Sequence, residues 1–171
     1  MYKVALIGPE SSGKTTLARY LARRYNGTYV PEYAREYVER KGTTDVTWDE
    51  LCDIAKHQIE ELESLFSLSP KDGLSSLSEA VYQAKPVFFD TELIVTKIWF
   101  EYAFGRVPEW LNEAILRYPM DVYLLTYPDL PWIPDPARSN GSDAIRLELF
   151  HRYESEIQAL DIPYYIIKHC I

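Results

Sequence analysis

Gly8-Pro9-Glu10-Ser11-Ser12-Gly13-Lys14-Thr15 is the stretch on which the reading of this chain turns. It satisfies the pattern G-x-x-x-x-G-K-[ST] at every fixed position. The glycines let the backbone fold tightly enough for successive N–H groups to converge on phosphate oxygens. A helix opening at Lys14 adds the partial positive charge of its N-terminus. In such a turn the lysine ammonium meets the β- and γ-phosphates, and the Thr15 hydroxyl ligates Mg²⁺. The motif therefore assigns Gly8, Glu10, Ser11, Ser12, Gly13, Lys14, Thr15 and Thr16 to ATP binding. An ordinary glycine-rich turn would not need the strand before it and the helix after it.

Both flanks are legible. Val4-Ala5-Leu6-Ile7 is a short continuous apolar run, as in a strand covered on both faces. Leu17, Ala18, Leu21, Ala22 and Tyr25 recur at helical spacing and predict a helix over 14–25, stopped by Asn26-Gly27. Thr28–Val30 reads as a second strand that Pro31 ends, and a helix over 33–40 stops at Gly42. Thr47-Trp48-Asp49-Glu50 is a capping box. It opens a helix to about residue 66, with Leu51, Ile54, Ala55, Gln58, Leu62 and Leu65 as its inner stripe. A loop over 67–74 and a helix over 77–84 precede the strand Val87-Phe88-Phe89, which Pro86 starts. Helices over 93–104 and 108–117 follow, with Pro108 in a first turn. Strands over 121–126 and 163–168 enclose a helix over 143–160. Residues 127–141 hold four prolines and read as a lid loop. The alternation predicts one α/β domain over residues 1–171, a three-layer α/β/α sandwich with a five-stranded parallel sheet.

Composition narrows the function classes. The 171 residues carry a net charge of −8 with a pI near 4.9, and no basic run suits a nucleic-acid partner. Phosphate capture at a helix N-terminus is local and tolerates an acidic chain. No apolar run approaches the ~20 residues of a membrane span, and no leader precedes the first strand, so no membrane partner and a cytoplasmic location are expected. The chain enters that strand at once, so no domain is expected before it. Cys52 and Cys170 lie far apart, and His57, His151 and His169 are scattered. None has zinc-ligand spacing, and all read as structural in a reducing compartment. Whether copies of the chain associate stays open.

The remaining chemistry gathers at strand ends. Asp90 closes the strand Val87-Phe88-Phe89, where open α/β sheets bind ligands. Beside the phosphate turn it reads as the second metal-holding residue; alone it would equally be a helix cap. A phosphoryl acceptor that is an alcohol needs a carboxylate near its hydroxyl, and Glu32, Asp90 and Glu92 are all candidates. Pro31-Glu32-Tyr33-Ala34-Arg35 groups a carboxylate, a phenol and a guanidinium. Trp99 and Tyr102, one turn apart, could stack a flat heteroaromatic ring, although Trp99 reads equally well as core. Asp129, Trp132, Asp135 and Arg138 lie on the lid, and Arg146 on the next helix. Lid arginines can set positive charge against a moving phosphoryl group, or merely pair with acids in solvent. Thr126-Tyr127-Pro128-Asp129 lacks the Asn/Thr-Lys-x-Asp pattern of a guanine-nucleotide switch.

Four stretches taken in order resemble the ribosylnicotinamide kinase domain of the NadR family. They are Gly8 to Thr16, Val30-Pro-Glu-Tyr-Ala-Arg-Glu-Tyr37, Phe88-Phe-Asp-Thr-Glu-Leu93 with Thr96 and Trp99, and Pro128-Asp-Leu-Pro-Trp132 with Arg138. The resemblance implies a P-loop nucleoside/nucleotide kinase-like fold. It also implies transfer of the ATP γ-phosphate to the 5′-hydroxyl of nicotinamide riboside, a small-molecule nucleoside, with Mg²⁺. Glu32, Tyr33 and Arg35 would lie near the acceptor, with Glu92, Trp99, Trp132 and Asp135 also lining its site. Asp90 would serve the metal or the hydroxyl, and Arg138 would belong to the lid. Lys14, Asp90, Glu32 and Arg138 form the expected catalytic set. Family members often carry a nucleotidyltransferase domain upstream, sometimes also a DNA-binding one; adenylyl transfer and repression are not expected of this chain. The lid departs from the family at Pro136, where glycine is usual, and residues 67–85 are long for it. The alternative is a regulatory ATP-binding module acting on a protein partner.

Overall fold

The computed structural model describes residues 1–67, 85–135 and 142–169. The elements in order are β1 (Tyr2–Ile7), α1 (Lys14–Arg24), β2 (Thr28–Val30), α2 (Tyr33–Lys41), α3 (Trp48–Ser67), β3 (Pro86–Asp90), α4 (Leu93–Phe104), α5 (Glu109–Arg117), β4 (Val122–Thr126), α6 (Asp143–Ala159) and β5 (Tyr164–Ile167). The helix expected over 77–84 and the end of the lid, with Arg138, lie outside the described residues.

The five strands are all parallel and run in the order β2-β3-β1-β4-β5. The chain leaves β1 toward one edge, returns at β3 and crosses to β4 on the other side. The strand order reverses beside β1, and the C-terminal ends there open the crevice that binds ligands in such sheets.

Strand periodicity divides the core. Val4 and Leu6 of β1 join Phe88, Val122 and the small Ala18 and Ala22 of α1 on one face. Ala5 and Ile7 join Val87, Phe89, Tyr123 and Leu125 on the other, against α3, α4, α5 and α6. The apolar run of β1 is thus explained by two covered faces. The three layers are α1, the sheet, and the α3–α6 group.

The capping box at α3 is closed in both directions. The Glu50 amide donates to Thr47 Oγ1 at 3.3 Å, and the Thr47 amide donates to Glu50 Oε2 at 2.8 Å. The inner stripe of α3 is buried from Leu51 to Leu62, while Leu65 is half-buried at its edge. Pro108 stands outside α5 as its cap, with φ −65° and ψ 135°, rather than in the first turn. Its ring fixes φ equally well at either position. No helix among the described residues is long and apolar enough to cross a membrane.

Candidate active site

The turn between β1 and α1 is built as its glycines require. Gly8 has φ 143° and Gly13 has φ 80°, and Gly13 caps α1. A Cβ on Gly8 would run into the Thr126 hydroxyl and stand 2.6 Å from its carbonyl oxygen. The loop is therefore seated on the end of β4. Ser12 Oγ donates to Pro9 O at 2.7 Å and lies 2.6 Å from Thr126 Oγ1. Lys14 Nζ donates to Gly8 O at 2.9 Å and Pro9 O at 2.7 Å. The ammonium is curled over its own loop, and a triphosphate would draw it off these carbonyls.

A second support comes from α6. Arg146 is 1% exposed. Its guanidinium donates to Glu10 O (3.1 Å), Ser11 O (3.3 Å) and Leu130 O (2.9 Å), and it pairs with Asp143. Of the two readings of the arginines near the lid, charge set against a phosphoryl group or pairing with acids, Arg146 on α6 shows the Asp143 pair together with its carbonyl contacts. It is spent on carbonyls and ties α6 to the phosphate loop and to the segment after β4. Behind Gly13 stands His169, whose Nε2 would lie 2.9 Å from a Cβ there. Asp129 accepts from the His169 amide at 2.9 Å and lies 3.0 Å from its ring Nδ1. Burial would raise the Asp129 carboxyl, but the His169 hydrogen bonds outweigh it and hold the group below the usual carboxylate range.

The three candidate carboxylates have separate environments. Asp90 is 2% exposed and its Oδ2 accepts from Tyr29 OH at 3.1 Å. Its Oδ1 is buried without a hydrogen-bond partner among the described residues. Such an orphaned hard oxygen costs free energy unless a cation or water meets it. Asp90 and the Thr15 hydroxyl have the donor chemistry that Mg²⁺ takes.

Glu32 caps α2 with extended backbone and lines a cavity between α2, α3 and α4. Glu92 caps α4 instead, accepting from the Ile94 amide at 2.9 Å. Desolvation pushes its carboxyl up to about 8 against the hydrogen bonds from Ile94 and Leu93. Glu92 is therefore neutral near pH 7 and lies in a smaller neighbouring cavity. Thr91, between Asp90 and Glu92, holds φ at 71° and donates its amide to Leu6 O. A threonine in that left-handed region is strained, and such strain collects at functional turns.

The α2–α3–α4 cavity has an apolar wall of Val38, Leu51, Ile54, Val95 and Trp99, and polar groups at Glu32, Arg35, Gln58, Thr91 and Thr96. Thr96 Oγ1 donates to Gln58 Oε1 at 2.6 Å. With its oxygen so engaged, the Gln58 amide has its N–H donors left to offer. Tyr33 lines the smaller cavity and stacks on His57, with centroids 3.6 Å apart and planes 4° from parallel. Tyr102 is exposed and lines neither, so the paired stacking with Trp99 is not formed. Residues Ser11 to Thr16 line a separate cleft together with Arg35 and Asp135. Trp132 is half-buried on the segment after β4 and lines none of these spaces.

The fold brings Glu32, Arg35 and Trp99 from the sequence-derived set to one cavity, and the contacts of Gln58, Thr126, Arg146 and His169 were not foreseen from sequence. The one available signal was Gln58, a polar residue inside an otherwise apolar stripe.

The chain is 30% identical over 148 residues to the trifunctional NAD biosynthesis/regulator protein NadR of Escherichia coli K12, covering 85% of this chain and 33% of that one. It thus spans about a third of the length of the curated relatives it matches. A crystal structure of NadR protein in complex with NAD and AMP-PNP superposes with a TM-score of 0.70 at 23% identity, over 99% of this chain and 44% of that one. A NadR protein in complex with NR gives 0.65 at 23%, over 96% and 43%. Thymidylate kinase from Ehrlichia chaffeensis gives 0.60 at 14%, over 97% and 86%. These likenesses are of fold, that of P-loop nucleoside and nucleotide kinases. The family AAA_28, an AAA domain, matches residues 3–170. With the phosphate turn intact and the match nearly end to end, the chain belongs to the AAA_28 family of P-loop AAA domains.

Proposed function

We propose that this chain is an ATP-dependent kinase that moves the γ-phosphoryl group to the 5′-hydroxyl of nicotinamide riboside, giving nicotinamide mononucleotide. One observation carries the reading. A phosphate cleft and a cavity lined by Glu32, Gln58 and Trp99 share Arg35 in their walls.

Each group has work in such a transfer. Backbone amides from Ser11 to Thr16 and the Lys14 ammonium would take the phosphates. Thr15 and Asp90 would hold Mg²⁺, whose chemistry when bound is to neutralise charge on the triphosphate. Glu32 would accept the proton of the 5′-hydroxyl. Glu92, protonated and engaged as a helix cap, is poorly suited to that task. The cationic pyridinium would lie on Trp99, and the Gln58 amide would donate to the carboxamide oxygen. The E. coli NadR likeness and the NR complex of a NadR protein support the choice of acceptor. Phosphoryl transfer depends mainly on position and charge, and this arrangement supplies both.

The test is ADP release from ATP and Mg²⁺ against a panel of nucleosides. Release that requires nicotinamide riboside supports the reading. Hydrolysis indifferent to every nucleoside would favour the regulatory ATP-binding alternative, and no ADP above background with any of them would reject the proposal.

A further inference from the structure

We infer that Arg35 is the side chain that meets the phosphoryl group in passage, and that Asp135 keeps its place as a resident anion until phosphate displaces it. Arg35 is the residue common to the phosphate-loop cleft and the α2–α3–α4 cavity. A phosphoryl group leaving one for the other would pass beside this residue. Its guanidinium donates from Nη2 to Asp135 Oδ2 at 2.7 Å and from Nε to Glu39 Oε1 at 2.8 Å.

The two contacts are not equivalent. Glu39 lies four residues along the same helix and its pair with Arg35 does not depend on the segment after β4. Asp135 comes from the segment after β4, a hundred positions away, and its carboxylate faces the same cleft as Ser11 to Thr16. A carboxylate beside a bound triphosphate is repelled by it. The pair is partly exposed, 36% at Arg35 and 23% at Asp135, so solvent screens it and breaking it costs little. Phosphate offers the guanidinium a charge-assisted, two-pronged replacement. The exchange is therefore downhill when a triphosphate arrives, and it leaves Arg35 facing the charge that develops in transfer.

In the transfer, the bond from Pγ to the β–γ bridging oxygen breaks and its electron pair leaves on ADP. A bond from the acceptor oxygen to Pγ forms, and the hydroxyl proton passes to Glu32. Arg35 changes no covalent state and acts by charge alone. The catalytic part rests on the proposed function, while the anion exchange requires only that the cradle hold a triphosphate.

The experiment is calorimetric titration of the full chain with AMP-PNP and Mg²⁺ at fixed ionic strength. The variants are Arg35→Lys, Arg35→Ala, Asp135→Asn and the double variant Arg35→Ala/Asp135→Asn, each checked for folding by urea denaturation. Asp135→Asn should bind about three- to tenfold tighter than wild type, and Arg35→Ala about tenfold weaker. In the Arg35→Ala background there is no guanidinium left to compete for and only the repulsion by the carboxylate remains, so the Asp135→Asn gain should be smaller than in wild type. Arg35→Lys, which keeps the charge but not the fork, tests the site even where Arg35→Ala unfolds, and should fall between wild type and Arg35→Ala. An equal gain in both backgrounds would make Asp135 a distant charge and overturn the exchange. So would no gain in wild type, or a wild-type chain that binds no AMP-PNP. With nicotinamide riboside as acceptor, Arg35→Lys should lower kcat about a hundredfold with little change in the nucleoside KM. A reversed split, or an unchanged kcat, overturns the catalytic part. A chain that shows the binding cycle but phosphorylates no nucleoside sinks the proposed function and leaves the exchange standing.

Discussion

Three carboxylates near strand ends meet three different surroundings. Asp90 has a buried oxygen without a partner among the described residues and suits a cation, Glu32 opens onto a cavity, and Glu92 is buried as the cap of α4. Sequence could name the three but not divide the labour, because desolvation is a property of packing. Replacing Glu32 by Gln should lower kcat by about 10²–10⁴-fold with little change in nucleoside KM, read in steady-state kinetics. Glu92 gives a prediction about stability. Its folded value of about 8 lies above the ordinary carboxylate value, so the folded chain keeps a proton that the unfolded chain has lost. Stability is therefore full below about pH 4.5 and falls as pH rises toward about 8, at roughly 1.4 kcal/mol per pH unit. Urea unfolding across that range should show the fall, and Glu92→Gln should flatten it and gain stability at pH 8. An unchanged slope in the variant would assign the fall to another group.

Elements were legible where local chemistry decides them. The capping box of α3, the left-handed Gly42 that stops α2 and the apolar run of β1 all read directly from neighbouring residues. Thr47→Ala should cost about 1 kcal/mol, since it strips one amide at the start of α3 of its side-chain acceptor. Chemical denaturation measures it, and catalysis should be unaffected. What holds one element to another was not legible. Arg146 looked like one more arginine near a lid, and only the packing of α6 shows its guanidinium inserted among the carbonyls of Glu10, Ser11 and Leu130. Arg146→Ala should leave three carbonyls short of a donor and destabilise the chain by about 1–3 kcal/mol. It should also weaken AMP-PNP binding more than tenfold by loosening the loop. Binding at wild-type strength in a folded variant would remove Arg146 from the support of that loop.

At the scale of the molecule, a 2-3-1-4-5 parallel sheet sets the phosphate turn at its switch point and stands α2, α3 and α4 around a second cavity beside it. The fold could be read from alternation and the phosphate turn, because both are written locally. The second cavity could not, because Glu32, Gln58 and Trp99 come from three separate stretches that meet only after folding. Gln58 tests the orientation of the acceptor: Gln58→Leu should raise the KM for nicotinamide riboside by about 10- to 100-fold, the cost of a lost donor to a buried acceptor. Transfer itself is read by following the label from [γ-³²P]ATP in the presence of nicotinamide riboside. Label recovered at the 5′-position of nicotinamide mononucleotide, and absent from that product in Lys14→Ala, is the predicted result. Label recovered only as inorganic phosphate, or equal transfer by Lys14→Ala, would contradict it.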